Sequence, residues 1–318
     1  MIRYILKRIL QAVPLLLVIS FIVFTLIHLA PYDAIDAQIT SNMSQEEINI
    51  LREQSGLNKP FLIQYVDWLG QILSGNFGHS LVTHNSVGEE ILAKIPNKIS
   101  LVLPAYVTAL VVAIVLGLLA AANKGKWQDK LIDAVASLGI ATPSFWIAMI
   151  FIYVLGYQLN LFPIIGMHTI GKEDDFGDFL SHFIMPYLTL TIVFFAELTR
   201  YVRSSALSQT NEEYVVVQQA FQATKTQIFT RHIIKNVLIP VITQVGMSLP
   251  MLVTGAIITE TVFSWPGIGP YITQATRALD YPIIMAVMLL SATLVIVGNL
   301  ISDILYSIVD PRIRRGGK

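Results

Sequence analysis

The chain has 318 residues, of which 54% are hydrophobic and only 13% charged, about half the roughly 25% charged content usual in globular proteins. Lysine plus arginine and aspartate plus glutamate balance at 21 each, which excludes a global basic field for nucleic acid, and the apolar content excludes a disordered chain. With no cysteine, disulfides, thiolate metal sites and cysteine nucleophiles are excluded together. A mean hydropathy of +0.64 leaves an all-α integral membrane protein.

A hydrocarbon core about 30 Å thick needs about 20 apolar residues of helix. Six stretches qualify: Ile9–Ala30, Ile99–Ala122, Leu131 past Pro143 to Leu161, Phe183–Thr199, Val237–Val262 and Ile283–Val309. The first follows Arg3, Lys7 and Arg8 and is too long for the apolar part of a signal peptide, so it is predicted to be retained. Pro143, Pro240 and Pro250 fall inside predicted spans, where neighbouring helices must satisfy the freed carbonyls, so a packed bundle is expected. With six crossings and the N-terminus inside, fifteen of the 21 lysines and arginines fall in inner segments. That bias predicts both termini in the cytoplasm.

Three units of organisation follow: 1–30 with the first span, 31–98 as an outer helical segment, and 99–318 as a core with the remaining spans. In the outer segment, Ser44 and Glu47 read as a capping box opening a short helix. A second helix is predicted between Pro60 and Gly75, with Phe61, Leu62, Tyr65, Leu69, Ile72 and Leu73 on one face, and Ser86 to Glu89 is another capping box. This segment is expected to form a small cap over the outer mouth of the bundle.

The second outer loop, 162–182, carries Glu173, Asp174, Asp175 and Asp178, which read as a solvated acidic loop. Its Gly166–Lys172 stretch begins like a phosphate-binding loop. Glu173 stands where that motif needs Ser or Thr, and no strand precedes it. Among ionisable residues near span ends, Glu197 and Arg200 form an i, i+3 pair expected to neutralise itself. Glu260, Asp303 and His28 lie near span ends, where no midplane relay for protons or sodium forms.

The inner segment 204–236 is far longer than the other inner loop, 123–130. Tyr214, Val217, Ala220, Phe221, Ile228, Phe229 and His232 give it an apolar edge. Such an edge can lie on a membrane surface or dock into a protein, and the sparse basic residues between Arg203 and Arg231 favour docking.

At these residues the chain resembles the permeases of bacterial ATP-binding-cassette importers for dipeptides, oligopeptides and nickel. Their inner loop reads approximately E-Y-V-x-x-A-x-A-x-G, then R-H-x-x-x-N-x-L-I-P. Here the matching residues are Glu213-Tyr214-Val215, Ala220, Arg231-His232, Asn236 and Leu238-Ile239-Pro240. Leu51–Gln54 through Gly56-Leu57, Gly75 to Ser80, Pro143–Trp146, Val262–Gly269 and Asp310–Ile313 follow in the family's order over nearly the whole chain.

The resemblance implies a type I ABC importer permease fold in the bacterial cell membrane, with no catalytic or metal site of its own. Its implied partners are a second homologous permease, two ATPase subunits that bind ATP and Mg, an extracytoplasmic lipoprotein that delivers substrate, and the lipid bilayer. Glu213, Tyr214, Val217, Ala220, Phe221 and Gln222 are then expected to dock on an ATPase, while Arg231 and His232 brace the loop against the following helix. His232 is alternatively a pH-sensitive group.

Gln222 stands where the family has glycine. Either the turn avoids the left-handed region, or the partner groove differs. Peptides are the implied cargo, with nickel, a metal chelate or glutathione as alternatives. An ion-coupled secondary transporter would need internal repeats and binding groups at mid-depth, and a membrane enzyme would need an acidic partner for Ser20, Thr25 and His28.

Overall fold

A computed structural model describes residues 2–29, 39, 43–54 and 58–309. Among the described residues there is no strand, and a single isolated bridge pairs His79 with Ser86. Helices follow in the order α1 (Ile2–His28), α2 (Gln45–Gln54), α3 (Phe61–Leu73), α4 (Val87–Ala122), α5 (Trp127–Ala141), α6 (Ser144–Phe151), α7 (Phe176–Gln209), α8 (Glu213–Ala220), α9 (Lys225–Gln227), α10 (Ile234–Thr254), α11 (Ile257–Val262), α12 (Ile268–Arg277) and α13 (Tyr281–Val309). Two π-helical segments, Ile152–Gln158 and Ile228–Ile233, continue α6 and precede α10. Four of these helices are long and apolar enough to cross a membrane among the described residues, or five if the bent α5–α6 pair is one span.

Two compact units emerge, Ile2–Lys98 with Pro266–Ile296, and Ile99–Trp265 with Val297–Lys318. In the first, local chemistry sets the helix ends. The Ser44 N–H donates to Glu47 Oε2 at 2.7 Å while Glu47 N–H donates back to Ser44 Oγ at 3.3 Å, the reciprocal capping box expected at α2. The Ser44 N–H, and Ser44 Oγ donating to the same Oε2 at 3.0 Å, hold the Glu47 carboxyl below its ordinary range.

Helix α3 ends as predicted at Gly75, with φ +84°. Asn76 N–H bonds back to the Gln71 carbonyl and Gly75 N–H to that of Ile72, a Schellman closure. The predicted face of α3 is partly wrong. Phe61, Tyr65 and Trp68 pack on Phe21 and Phe24 of α1, whereas Leu62 and Leu73 are 64% and 80% exposed.

The core of the first unit joins Val87 and Ile91 to Ile268, Tyr271, Ala275, Ile284 and Val287. Ser80 Oγ donates to buried Asp280 Oδ2 at 2.5 Å and accepts from the N–H groups of Val82 and Thr83, which pins the turn before α4. Helix α4 starts just after Ser86, as the second box predicts, and runs without a break through residue 98. Residues 87–98 and the predicted span Ile99–Ala122 are therefore one continuous helix.

In the second unit the expected continuous span through Pro143 is broken, and α5 and the α6 segment meet at 99°. Proline disfavours the helical region for the residue before it. Thr142 accordingly sits at φ −97°, ψ 119° and Pro143 at φ −59°, ψ 140°, two extended residues in succession. Pro186, in contrast, is buried inside an unbroken α7. That helix exceeds the predicted Phe183–Thr199 span at both ends.

The acidic loop supplies part of the reason. Asp175 caps α7 by accepting from the N–H groups of Gly177 and Asp178, while Asp178 accepts from Thr169 N–H and Oγ1. Glu173 accepts from Gly171 N–H, which lowers its carboxyl below the usual range. These carboxylates are used as local caps.

Close helix crossings rest on small residues. A Cβ at Gly117 would lie 2.7 Å from Val202 Cγ1, one at Gly139 2.7 Å from Ala196 Cβ, and one at Gly246 2.7 Å from Ser302 Cα. Trp265 is fully buried with Leu101, Tyr106 and Phe194 in the core cluster these crossings frame.

Candidate functional site

The segment between α7 and α10 is a helical elbow lying wholly within the second unit. Helix α7 ends at Gln209, and Tyr214 OH donates to Gln209 Oε1 at 3.1 Å. Helix α8 then buries one side chain, Val215 (3% exposed), among Ala121, Val202, Ala206, Ile228, Phe229, Ile233 and Val237. Apolar burial of this kind contributes roughly 1.5–3 kcal/mol per large side chain, so Ile228, Phe229 and Ile233 anchor the elbow firmly.

The other side of α8 is open. Val216 is 59% exposed, Val217 49% and Phe221 79%, and Glu213 and Ala220 are exposed beside them. Positions 213, 216, 217, 220 and 221 repeat at i, i+3, i+4, i+7 and i+8, so they form one stripe on the helix. An apolar stripe of this kind, held outward on a short anchored helix, is the form taken by helix-in-groove recognition.

Gln222 closes α8 and adopts φ +61°. Its N–H bonds to the Gln219 carbonyl and Ala223 N–H to that of Gln218 at 3.1 Å, the same Schellman closure that Gly75 makes in α3. The turn therefore does not avoid the left-handed region, and of the two sequence-based alternatives that one is ruled out. A left-handed non-glycine residue costs on the order of 1 kcal/mol. Ser264 and Leu279, at φ 51° and 56°, end α11 and α12 in the same way. Gln222→Gly is expected to strengthen the elbow by about 1 kcal/mol, read as slower amide exchange at Gln222 and Ala223. Unchanged exchange would show that the glutamine is unstrained.

After one intervening residue a capping box restarts the chain: Gln227 N–H donates to Thr224 Oγ1 and Thr224 N–H to Gln227 Oε1. Arg231 is exposed and His232 half-buried in the following π-helical segment. Among the described residues neither side chain makes a hydrogen bond or ion pair. Next to them Ile228, Phe229 and Ile233 are buried and fix this segment to the bundle.

One charged contact was not foreseen. Arg203, six residues before the end of α7, donates from Nε to Asp129 Oδ1 at 2.6 Å and from Nη2 to Oδ2 at 3.0 Å, while Gly125 N–H donates to the same Oδ2. This bidentate pair ties the start of α5 to the base of the elbow. The predicted Glu197–Arg200 pair does not form among the described residues, and both side chains are exposed.

The whole chain has relatives. Residues 113–315 match the family described as binding-protein-dependent transport system inner membrane component, and residues 1–102 match that family's N-terminal membrane component. The chain belongs to this family. It is a permease subunit of an ATP-binding-cassette importer and a multi-pass protein of the cytoplasmic membrane.

Over 314 residues this permease is 38% identical to the oligopeptide transport system permease protein AppB of Bacillus subtilis, covering 98% of this chain and 99% of that one. It is 32% identical to the dipeptide transport system permease protein DppB of Alkalihalophilus pseudofirmus, over 99% of this chain and 100% of the relative. The metal-staphylopine import system permease protein CntB of Staphylococcus aureus is 34% identical over 100% of both. Membership sets aside the secondary-transporter reading.

The site residues expected from sequence thus divide. Glu213, Val217, Ala220, Phe221 and Gln222 lie together on the open side of α8, and Tyr214 turns back toward α7. Val216 belongs to the open stripe and was missed, although the i, i+3 spacing from Glu213 would have found it. Asp303, Gly56-Leu57 and Asp310–Ile313 lie outside the described residues or side chains.

Proposed function

We propose that this permease imports peptides and takes its driving force through α8. In this reading the chain crosses the membrane six times with both termini inside. Residues 31–98 form its outer segment and 99–318 its core, with 204–236 as the coupling loop. It pairs with a second homologous permease above two ATPase subunits that bind ATP and Mg, and an extracytoplasmic binding protein delivers cargo.

The observation that carries the reading is the open stripe of Glu213, Val216, Val217, Ala220 and Phe221 on a helix whose other side is locked into the core by Val215. ATP shifts the balance between inward- and outward-facing states only through contacts that differ between them. A helix open to a partner on one side and fixed to the bundle on the other supplies such a contact. Peptide cargo is supported by the oligopeptide and dipeptide relatives, and the metal-staphylopine relative keeps a metal chelate as the second reading.

The test is co-purification of the ATPase with the chain carrying Glu213→Lys and Phe221→Asp, together with uptake of a labelled oligopeptide. Burying a new charge in the groove and losing a large apolar anchor costs at least about 3 kcal/mol, over a hundredfold in affinity. Association and uptake are expected to vanish while the permease still reaches the membrane. Retained ATPase and retained uptake would refute the coupling role. Uptake competed by a metal chelate but not by unlabelled peptide would replace the cargo.

A further inference from the structure

Helix α3 has three sides. Phe61, Tyr65 and Trp68 pack on α1, Asp67 and Gln71 form a polar edge, and Leu62, Val66 and Leu73 project away from the unit at 64%, 63% and 80% exposure. Leu62, Val66, Leu69 and Leu73 recur at i, i+4, i+7 and i+11, a stripe too regular and too apolar for a helix in water.

Where α3 meets α1 sets its depth. Tyr65 OH lies 2.8 Å from Ser20 Oγ and donates to the Leu17 carbonyl at 3.3 Å. Leu17 is well inside the apolar span Leu10–His28. Eleven residues separate it from the end at His28, about 16 Å of helix, whereas half of a hydrocarbon core is about 15 Å. A tyrosine hydroxyl at that depth has no water to bond, and both its partners come from α1. At the shallow end Phe61 meets His28 with ring centroids 5.0 Å apart, and Lys59 Nζ neutralises Asp67 at 2.6 Å.

We propose that α3 is an interfacial helix sunk into the lipid leaflet at the His28 end of α1, with Leu62, Val66 and Leu73 against acyl chains and Asp67 and Gln71 toward the headgroups. This replaces the cap over the bundle mouth expected from sequence. At 13 residues, about 20 Å long, α3 is too short to span and suits a half-inserted position. The occupant of its open side is lipid because the span it packs against is itself bare: only 11% of the Leu10–His28 window is buried by protein. The inference needs only the membrane location and stands whatever the cargo.

The chain has no cysteine, so single thiols are introduced without background. Nitroxides are attached at Leu62→Cys, Val66→Cys, Leu73→Cys, Gln71→Cys and Asn58→Cys in detergent, and the full chain is reconstituted in phosphatidylglycerol–phosphatidylethanolamine vesicles. At 62, 66 and 73 collisions with oxygen are expected to dominate and collisions with a water-soluble nickel chelate to be lost, with the reverse at 58 and 71. Chelate-dominated relaxation at 62, 66 and 73 would overturn the proposal. So would chelate protection that appears at those sites only after the extracytoplasmic binding protein is added, which would make the stripe a protein-docking face.

Discussion

Asp129→Ala is expected to destabilise the permease by about 2–3 kcal/mol, because it strands a guanidinium that is largely enclosed. Breaking a buried pair by removing one partner costs about 3–5 kcal/mol. Arg203 keeps a side-chain exposure of 26% against 5% for Asp129, so the pair is only partly buried and the loss falls at or just below the lower end of that range. Asp129 also accepts from Gly125 N–H, so the turn between α4 and α5 loses an anchor at the same time. The readout is the temperature at which the detergent-solubilised protein loses its monodisperse elution peak, expected to fall on the order of 5–10 °C. Adding Arg203→Met removes the stranded charge and should restore much of the loss. A single variant that melts with the parent would show that the pair does not hold α5 to α7.

Gly246→Val is the second large effect. Ordinary helix propensity favours replacing glycine by about 1 kcal/mol in Gly→Ala exchanges. At Gly70 of α3, where a Cβ meets nothing within 4 Å, that gain should appear, and Gly70→Ala serves as the stabilised control. At Gly246 the first atom met is Ser302 Cα at 2.7 Å, backbone that no rotamer change can move aside. Helices α10 and α13 must therefore separate along a crossing where Ser302 is also buried. Overpacking costs about 1–3 kcal/mol and more where the backbone shifts. The valine variant should accumulate poorly in membranes and melt well below the parent. Normal accumulation and melting would mean that the two helices approach less closely than the crossing implies.

Local chemistry was readable in the sequence wherever the signal and its answer lie within a few residues. The Ser44–Glu47 box, the Gly75 closure and the start of α4 need no knowledge of the rest of the chain. Proline was less readable, since its effect depends on its surroundings. Pro186 sits in an unbroken helix, whereas Thr142 and Pro143 turn the chain by 99°.

Charge pairing was misread for a similar reason. Glu197 and Arg200 are neighbours in sequence and form no pair among the described residues, while Arg203 finds Asp129 across 74 positions. No periodicity encodes that separation. On the elbow the motif centred attention on Tyr214, but 3.6 residues per turn puts Val216 on the open stripe and turns Tyr214 back toward Gln209. For α3, periodicity revealed an apolar face, but only packing shows that two faces exist and which one α1 uses.

The back-to-back closures at Gln222 and Thr224 have a consequence for energy transmission. With α8 terminated and α9 initiated by their own main-chain bonds, the bend between them is already shaped before anything grips it. Immobilising floppy side chains and loops would otherwise drain about 0.5–1.5 kcal/mol per ordered side chain from each engagement. In the proposed coupling role, a stiff hook would avoid that loss on every stroke, and a pull on its tip would reach the bundle as displacement instead of being absorbed as slack.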